Sequence, residues 1–248
     1  MRFILLGTGS GMPELGTHQS ALYVQVGDKQ LLFDCGEGTS YQLLKHGLAG
    51  ETLDAIFISH YHPDHVSGLF MVLQMLYIQK RQRPLQLFLP ERPAVMVEIL
   101  QYMYTFPTNF PFQLQILDCH EADLYHEEVS TALSDHLRVF YEEQIQVGKL
   151  PNQMNSYSFK ISDTEGSLAY TADIATTDSV LNLLRDTHTV IVDGIHPDAA
   201  QVLKLQYAGI TRILLNHGRS AGLLEACQAG LPDMFVPAQE DHVYSIPE

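Results

Sequence analysis

The chain reads as an α/β protein in which two β-sheets are sandwiched between outer helices. Two observations lead there. The early part of the sequence is rich in short apolar, strand-like runs, whereas the later part alternates strand and helix patterns. Both parts supply central strands and outer helices, so two sheets are a more economical arrangement than one doubly wound sheet. With 248 residues, 46% of them hydrophobic, the sequence can build one large domain over 1–248 with a sizeable core.

The elements follow in order. Residues 2–6 form a first strand, stopped by Gly7-Thr8-Gly9-Ser10-Gly11. Residues 21–26 and 30–33 pair as a hairpin about Gly27-Asp28. Asp34-Cys35-Gly36-Glu37-Gly38-Thr39 makes a tight loop, with Thr39 or Ser40 placed to cap a helix over 41–46. Residues 56–59 are a buried strand. A helix is expected over 63–80, with Val66, Leu69, Phe70, Leu73, Leu76 and Tyr77 on one face. A strand at 85–89 and a helix at 93–104 come next, then strands at 113–118, 129–139, 155–161 and 167–171. The last part runs helix 177–185, strand 189–192, helix 197–207, strand 212–215 and helix 220–228. Residues 106–112 (Phe-Pro-Thr-Asn-Phe-Pro-Phe) are apolar, but two prolines forbid regular structure. A loop folded onto the core, a lid over a site and a homodimer contact all stay open for them.

Charge and composition exclude several classes. Lys plus Arg number 14 against 29 for Asp plus Glu, a formal net charge of −15. A general polyanion binder needs a basic face, so nucleic acid is a disfavoured partner. The one dense basic cluster, Lys80, Arg81 and Arg83, is read as complementing a helix dipole. No segment approaches the ~20 apolar residues of a membrane span, and no signal-peptide pattern opens the chain, so a cytoplasmic protein is expected. Cys35, Cys119 and Cys227 lack CxxC spacing and read as buried reduced thiols.

The richest segment is His60-Tyr61-His62-Pro63-Asp64-His65, directly after the apolar run 55–58. On an extended backbone His60 and His62 point the same way. Asp64 and His65 follow Pro63, which suits the first turn of a helix. Imidazole nitrogen and carboxylate oxygen are ligands of zinc and its neighbours, so the HxH and DH pairs suit two adjacent ions. Further ligand types stand after strand-like runs: His136 after 129–133, Asp173 after 167–171 and His217 after 213–215. His18, His46, His120, His126, His188 and His242 lack this context and are read as surface or capping residues.

The order Asp34, His60-x-His62-x-Asp64-His65, His136, Asp173, His217 resembles the motifs of the metallo-β-lactamase superfamily. Within it the chain is most similar to ribonuclease Z and its short relatives. Leu6-Gly7-Thr8-Gly9-Ser10, the Phe33–Thr39 segment, Ser67-Gly68-Leu69 and Asn155-Ser156-Tyr157-Ser158-Phe159 carry that likeness. The resemblance implies a four-layer αββα sandwich, a binuclear metal site and hydrolysis. It implies two divalent ions, zinc first and manganese or iron as alternatives. His60, His62 and His136 would hold one, Asp64, His65 and His217 the other, with Asp173 bridging opposite a hydroxide. Asp64 could also orient that hydroxide. His196 resembles a catalytic histidine of the group, delivering a proton with support from Asp193, and Asp34 would fix the tautomer of a ligand histidine.

The chain also departs from ribonuclease Z. The interval between His136 and Asp173 leaves no room for a long transfer-RNA-gripping arm, and the last motif reads Asn216-His217-Gly218-Arg219-Ser220. A small phosphodiester is therefore the expected substrate. A transfer-RNA 3′ endonuclease is the alternative, followed by a thioester or lactone hydrolase and a non-hydrolytic metal-binding protein. A redox role is disfavoured, because no Glu replaces a position of the HxHxDH motif and no flavin module is attached.

Overall fold

The computed structural model describes residues 1–246. These residues group into two compact units. The first comprises Arg2–Glu121 with Glu240–Tyr244; the second comprises Ala122–Gln239 with Met1 and the residues from Ser245.

In the first unit the apolar runs become β1 (Arg2–Gly7), β2 (Ala21–Val26), β3 (Lys29–Phe33), β4 (Ala55–Phe57), β5 (Leu85–Leu89) and β6 (Leu114–Asp118). They lie in chain order in one sheet. The last strand of the described chain, Val243–Ser245, pairs on the outer side of β1. β1, β2 and β3 are antiparallel neighbours, and β3 to β6 are parallel. β1 and β3–β6 therefore all end at one edge of the sheet. Strands buried on both faces read as continuous hydrophobic runs. One face packs on the helices through Leu6, Leu32, Ile56, Leu87 and their neighbours, and the other carries buried Phe33, Phe57 and Phe88. Parallel register stacks those three rings, with centroids 4.9 and 4.5 Å apart.

The helices of this unit are α1 (Thr39–Lys45), α2 (Pro63–Val66), α3 (Leu69–Ile78) and α4 (Pro93–Tyr102). The helix expected over 63–80 is thus two. The Gly68 N–H donates to Cys35 O at 2.9 Å instead of to its own helix, which breaks the ladder. Its buried face uses Val72 and leaves Tyr77 exposed. α1 is capped by Gly38, since Thr39 turns its hydroxyl to Gly36 O. Arg81 does not complement a helix end. It is 1% exposed and donates to the carbonyls of Gly50, Leu53, Arg83 and Pro84. In the Phe-Pro segment, Phe112 is buried in the core, whereas Phe106 and Phe110 line a cavity of ≈ 320 Å³ with Tyr77 and Met103.

The second unit starts with α5 (Ala122–Tyr125), β7 (Val129–Leu133), α6 (His136–Gly148), β8 (Tyr157–Ser162) and β9 (Ser167–Tyr170). It continues with α7 (Leu181–Leu184), β10 (Thr189–Asp193), α8 (Ala199–Lys204), β11 (Arg212–Asn216), α9 (Ala221–Ala229) and β12 (Phe235–Pro237). The sheet order is β12-β11-β10-β9-β8-β7. β9 to β12 are parallel, and β8 is antiparallel to both β7 and β9, so only β8 runs the other way. The strand expected over 129–139 stops at Leu133, and its second half is the start of α6. This helix buries only His136, and Val139, Phe140 and Val147 on it stay exposed. The core of the second unit is formed by Val190, Val192, Ile213, Leu215, Val202, Leu223 and their neighbours. His126, expected at the surface, is 3% exposed with Nδ1 facing Glu128 at 3.2 Å. Cys35 and Cys119 are buried as expected, while Cys227 is half-buried. Among the described residues no helix is long and apolar enough to cross a membrane.

Candidate metal centre

Each unit gathers ligand-type side chains at the C-terminal ends of its parallel strands, the edge where open α/β sheets bind ligands. In the first unit Asp34 directly follows β3. It is fully buried and left-handed, with φ 58°, a conformation Asp tolerates better than most residues. Its N–H donates to Phe57 O at 2.7 Å. Its Oδ1 accepts the Ser59 N–H at 2.7 Å, and its Oδ2 accepts the Ser59 hydroxyl at 2.9 Å and His65 Nδ1 at 2.7 Å. A carboxylate only accepts, so His65 carries its hydrogen on Nδ1. The single Ser59 hydroxyl hydrogen is committed to Asp34, so Ser59 Oγ accepts from His60 Nδ1 at 2.9 Å. One carboxylate thereby sets the tautomer of two imidazoles and leaves the Nε2 lone pair of each for a metal.

His60, His62 and His65 cluster there, with ring centroids 4.6 Å apart for His60–His62 and 4.2 Å for His60–His65. Asp64 Oδ2 lies 3.7 Å from His65 Nε2. Pro63 occupies the first turn of α2, where its missing N–H costs nothing. The loop after β3 and the turn after α2 pack backbone to backbone. A Cβ on Gly36 would sit 2.3 Å from the Asp64 carbonyl, and one on Gly68 would sit 2.0 Å from the Gly36 carbonyl. Close approach, not phosphate cradling, is what these glycines provide.

In the second unit His136, Asp173, Asp193, His196 and His217 follow or end β7, β9, β10 and β11. Asp173 is 2% exposed. Its Oδ2 lies 3.5 Å from His136 Nε2 and its Oδ1 3.3 Å from His217 Nε2. One carboxylate thus turns a separate oxygen to each of two imidazoles. His196 Nδ1 is 2.8 Å from Asp193 Oδ2 and 3.8 Å from Asp173 Oδ2. Asp193 is itself fixed: it accepts the N–H groups of Ile174, Ile195 and His196 at 3.1, 2.9 and 3.2 Å. Asp173, His196 and His217 each bring one ligand atom within 4.8 Å of the others, close enough to hold a metal ion. The donors are imidazole nitrogens and carboxylate oxygens, a set that fits zinc and its neighbours. Burial pushes the Cys35 and Cys119 thiols up, so neither offers a ready thiolate.

A protein-family model described as Anti-Pycsar protein Apyc1 matches residues 1–217. The chain belongs to this family. It is also similar to curated proteins named ribonuclease Z. One from Methanosarcina mazei is 25% identical over 267 residues, covering 88% of this chain and 87% of that protein. One from Halalkalibacterium halodurans is 34% identical over 161 residues, covering 62% of this chain and only 52% of that protein. Among solved structures, the metallo-β-lactamase fold protein YhfI from Bacillus subtilis matches with a TM-score of 0.76 at 19% identity, over 98% of both chains. The short form of human tRNase Z matches with a TM-score of 0.71 at 22% identity, over 100% of both chains. This Apyc1-family chain therefore has the metallo-β-lactamase fold, as the sequence motifs implied.

In this Apyc1-family chain, sequence reasoning missed three supports of the candidate ligands. Ser59 relays Asp34 to His60. Asp135 ties down the loop after Asp173, accepting the Ala175 and Thr176 N–H groups and the Thr176 hydroxyl at 2.9, 3.1 and 2.6 Å. Ser134 Oγ donates to the Asp173 carbonyl at 3.0 Å. The Ser134-Asp135 pair just before His136 was the available signal, since such residues bond nearby backbone.

Proposed function

We propose that the chain is a cytoplasmic, metal-dependent phosphodiesterase acting on small phosphodiesters through a binuclear metal centre. His60, His62 and His136 form one ligand set, Asp64, His65 and His217 the other, and Asp173 is shared. Zinc is the first candidate, with manganese and iron as alternatives. The observation that carries this reading is Asp173, which directs one oxygen to His136 and the other to His217. When bound, two such ions supply an acidified water and offset charge on the phosphate oxygens.

The chain's own residues divide the remaining work. Asp64 orients the attacking water and, as base, takes its proton. As that oxygen joins phosphorus and the ester P–O bond breaks, His196 delivers a proton from Nε2 to the leaving oxygen. Its Nδ1–H stays on Asp193, which supports the cationic ring before transfer. His196 is 26% exposed, so substrate can reach it. Asp34 acts at a distance through the tautomers of His60 and His65.

Substrate size follows from charge. At a net −15, a polyanion of many phosphates is repelled at long range, whereas a small diester senses mainly the centre itself. The curated relatives' name favours a second reading, a transfer-RNA 3′ endonuclease. Metal analysis with a screen of bis(p-nitrophenyl) phosphate, cyclic nucleotides, a lactone and a precursor transfer RNA decides between them. A higher kcat/KM on small diesters near physiological salt is expected. Efficient, site-specific cleavage of the precursor would promote the endonuclease.

A further inference from the structure

The turn that delivers Asp173 leaves β9 after Tyr170 and runs Thr171-Ala172-Asp173. Ala172 is left-handed, with φ 48°, a conformation its Cβ makes costly. β8 pairs with β9 only as far as Phe159 opposite Tyr170, so the sheet ladder does not reach the turn from that side. Side-chain hydroxyls take its place. Ser158 Oγ donates to Thr171 O at 2.6 Å, Thr171 Oγ1 to Ala172 O at 2.8 Å and Ser134 Oγ to Asp173 O at 3.0 Å. Each carbonyl of the turn thus accepts a hydroxyl. Ser134 has one hydroxyl hydrogen, so Ser156 donates in the 2.6 Å contact between their Oγ atoms. Thr171 Oγ1 also accepts the Asp193 N–H at 3.0 Å, and Asp193 Oδ2 returns to the turn by accepting the Ile174 N–H at 3.1 Å. Ser134, Ser156, Ser158, Thr171 and Asp193 are all buried.

The carboxylate of Asp173 can turn one oxygen to His136 and the other to His217 only while its Cα–Cβ bond keeps its direction, and the left-handed residue before it sets that direction. We infer that Thr171 and Ser134 are positioning residues for the metal centre, their hydroxyls holding the strained turn in which Asp173 can be shared by two ions. The inference rests on the binuclear reading above. Thr171 has a second effect, because its bond to Asp193 ties this turn to the carboxylate that supports His196. Buried hydroxyls used only to satisfy carbonyls would contribute to stability and leave metal affinity alone. Hydroxyls that aim a ligand are read out in the affinity itself.

Thr171→Val and Thr171→Ser separate the two parts of one side chain. Valine keeps the branched shape and loses the hydroxyl, whereas serine keeps the hydroxyl and loses a methyl group. The probe is cobalt(II), added to full-length protein stripped of metal and competed with a chelator, with its visible absorption recorded. Thr171→Val should bind cobalt about 10–100-fold more weakly than the parent and shift the absorption. Thr171→Ser should stay within about threefold and keep the parent spectrum, although urea unfolding of the stripped protein shows it less stable. Ser134→Ala should weaken cobalt binding as Thr171→Val does, and it decides the matter if the valine variant does not fold. Lowered stability with parental cobalt affinity and spectrum in the hydroxyl-deleted variants, or equal weakening by valine and serine, would overturn the inference. A parent that binds no cobalt overturns it together with the metal centre. If the parent binds cobalt but cleaves no phosphodiester, the phosphodiesterase reading alone fails, and the titration still judges the turn.

Discussion

Replacing Asp34 by Asn tests the tautomer relay with almost no change of shape. Ser59 N–H can only donate, so the amide oxygen must take the Oδ1 position, 2.7 Å from that nitrogen. The amide NH2 then stands where Oδ2 was, 2.9 Å from Ser59 Oγ and 2.7 Å from His65 Nδ1. Both partners now meet a donor. The conflict resolves when Ser59 and His65 accept, which moves the His65 hydrogen to Nε2 and frees the Ser59 hydroxyl to donate to His60 Nδ1. Both rings then present N–H where a metal needs a lone pair. Charge-assisted hydrogen bonds are worth about 1.5–3 kcal/mol and neutral ones about 1 kcal/mol, so metal-free Asp34→Asn should lose roughly 1–3 kcal/mol of stability. Disturbing one such support typically costs ~10–100-fold in metal affinity, and two ligands are affected here, so we expect a loss of at least about 100-fold. Chelator-competition dialysis with metal analysis measures the affinity, and urea unfolding of the stripped protein measures stability. A metal affinity within about threefold of wild type, alongside the stability loss, would refute the relay.

The remaining predictions concern the ligands, the acid, the core and the C-terminal clasp. His62→Ala or Asp64→Ala should reduce hydrolysis to background with unchanged circular dichroism, and fully loaded wild type should bind two ions; a metal-loaded His62→Ala protein with near-normal turnover would remove that residue from the centre. His196→Gln should lower kcat by about 10²–10⁴ while metal content holds, and a lost ion would make it a ligand instead. Phe57→Ala removes the middle ring of the Phe33–Phe57–Phe88 stack and should cost about 3–5 kcal/mol in urea unfolding, whereas a loss under about 1 kcal/mol would mean the site collapses to fill the space. Burial raises the Asp241 carboxyl, but hydrogen bonds from Lys45, His46 and Gln42 outweigh it and hold the pKa at about 2. Because this lies below the unfolded value of ~3.9, the clasp stabilises above that pH and the contribution is lost as pH falls toward 2. Asp241→Asn should therefore speed amide exchange over residues 240–244 at neutral pH, with the wild-type advantage shrinking in acid; equal protection would show the clasp to be idle.

The placement of the ligand-type residues at strand ends was legible because apolar runs stop close to a His or Asp, and parallel strands bring those stops to one edge of each sheet. Local patterning could not show where long-range partners interrupt an element. Gly68 breaks a helix because its N–H goes to Cys35, far back in the chain. α6 was missed because its first residues continue the strand-like run of β7, and the turn at Ser134-Asp135 that ends the strand was read through. Arg81 was read as complementing a helix dipole, whereas the carbonyls of Gly50, Leu53, Arg83 and Pro84, brought together by folding, make its burial tolerable. The strands Phe235–Pro237 and Val243–Ser245 are too short for alternation to reveal them and are defined by their pairing with β11 and β1.

Val243–Ser245 has a significance larger than its three residues. β1, Arg-Phe-Ile-Leu-Leu-Gly, is buried along most of its length, and Tyr244 lays its ring flat on Phe3 at 4.8 Å. Take that strand away and β1 becomes an apolar sheet margin with open N–H and C=O groups, the template on which a second chain can add. Shortening the protein at this end would then be felt first as loss of solubility, in a molecule whose strong negative charge would otherwise keep copies apart.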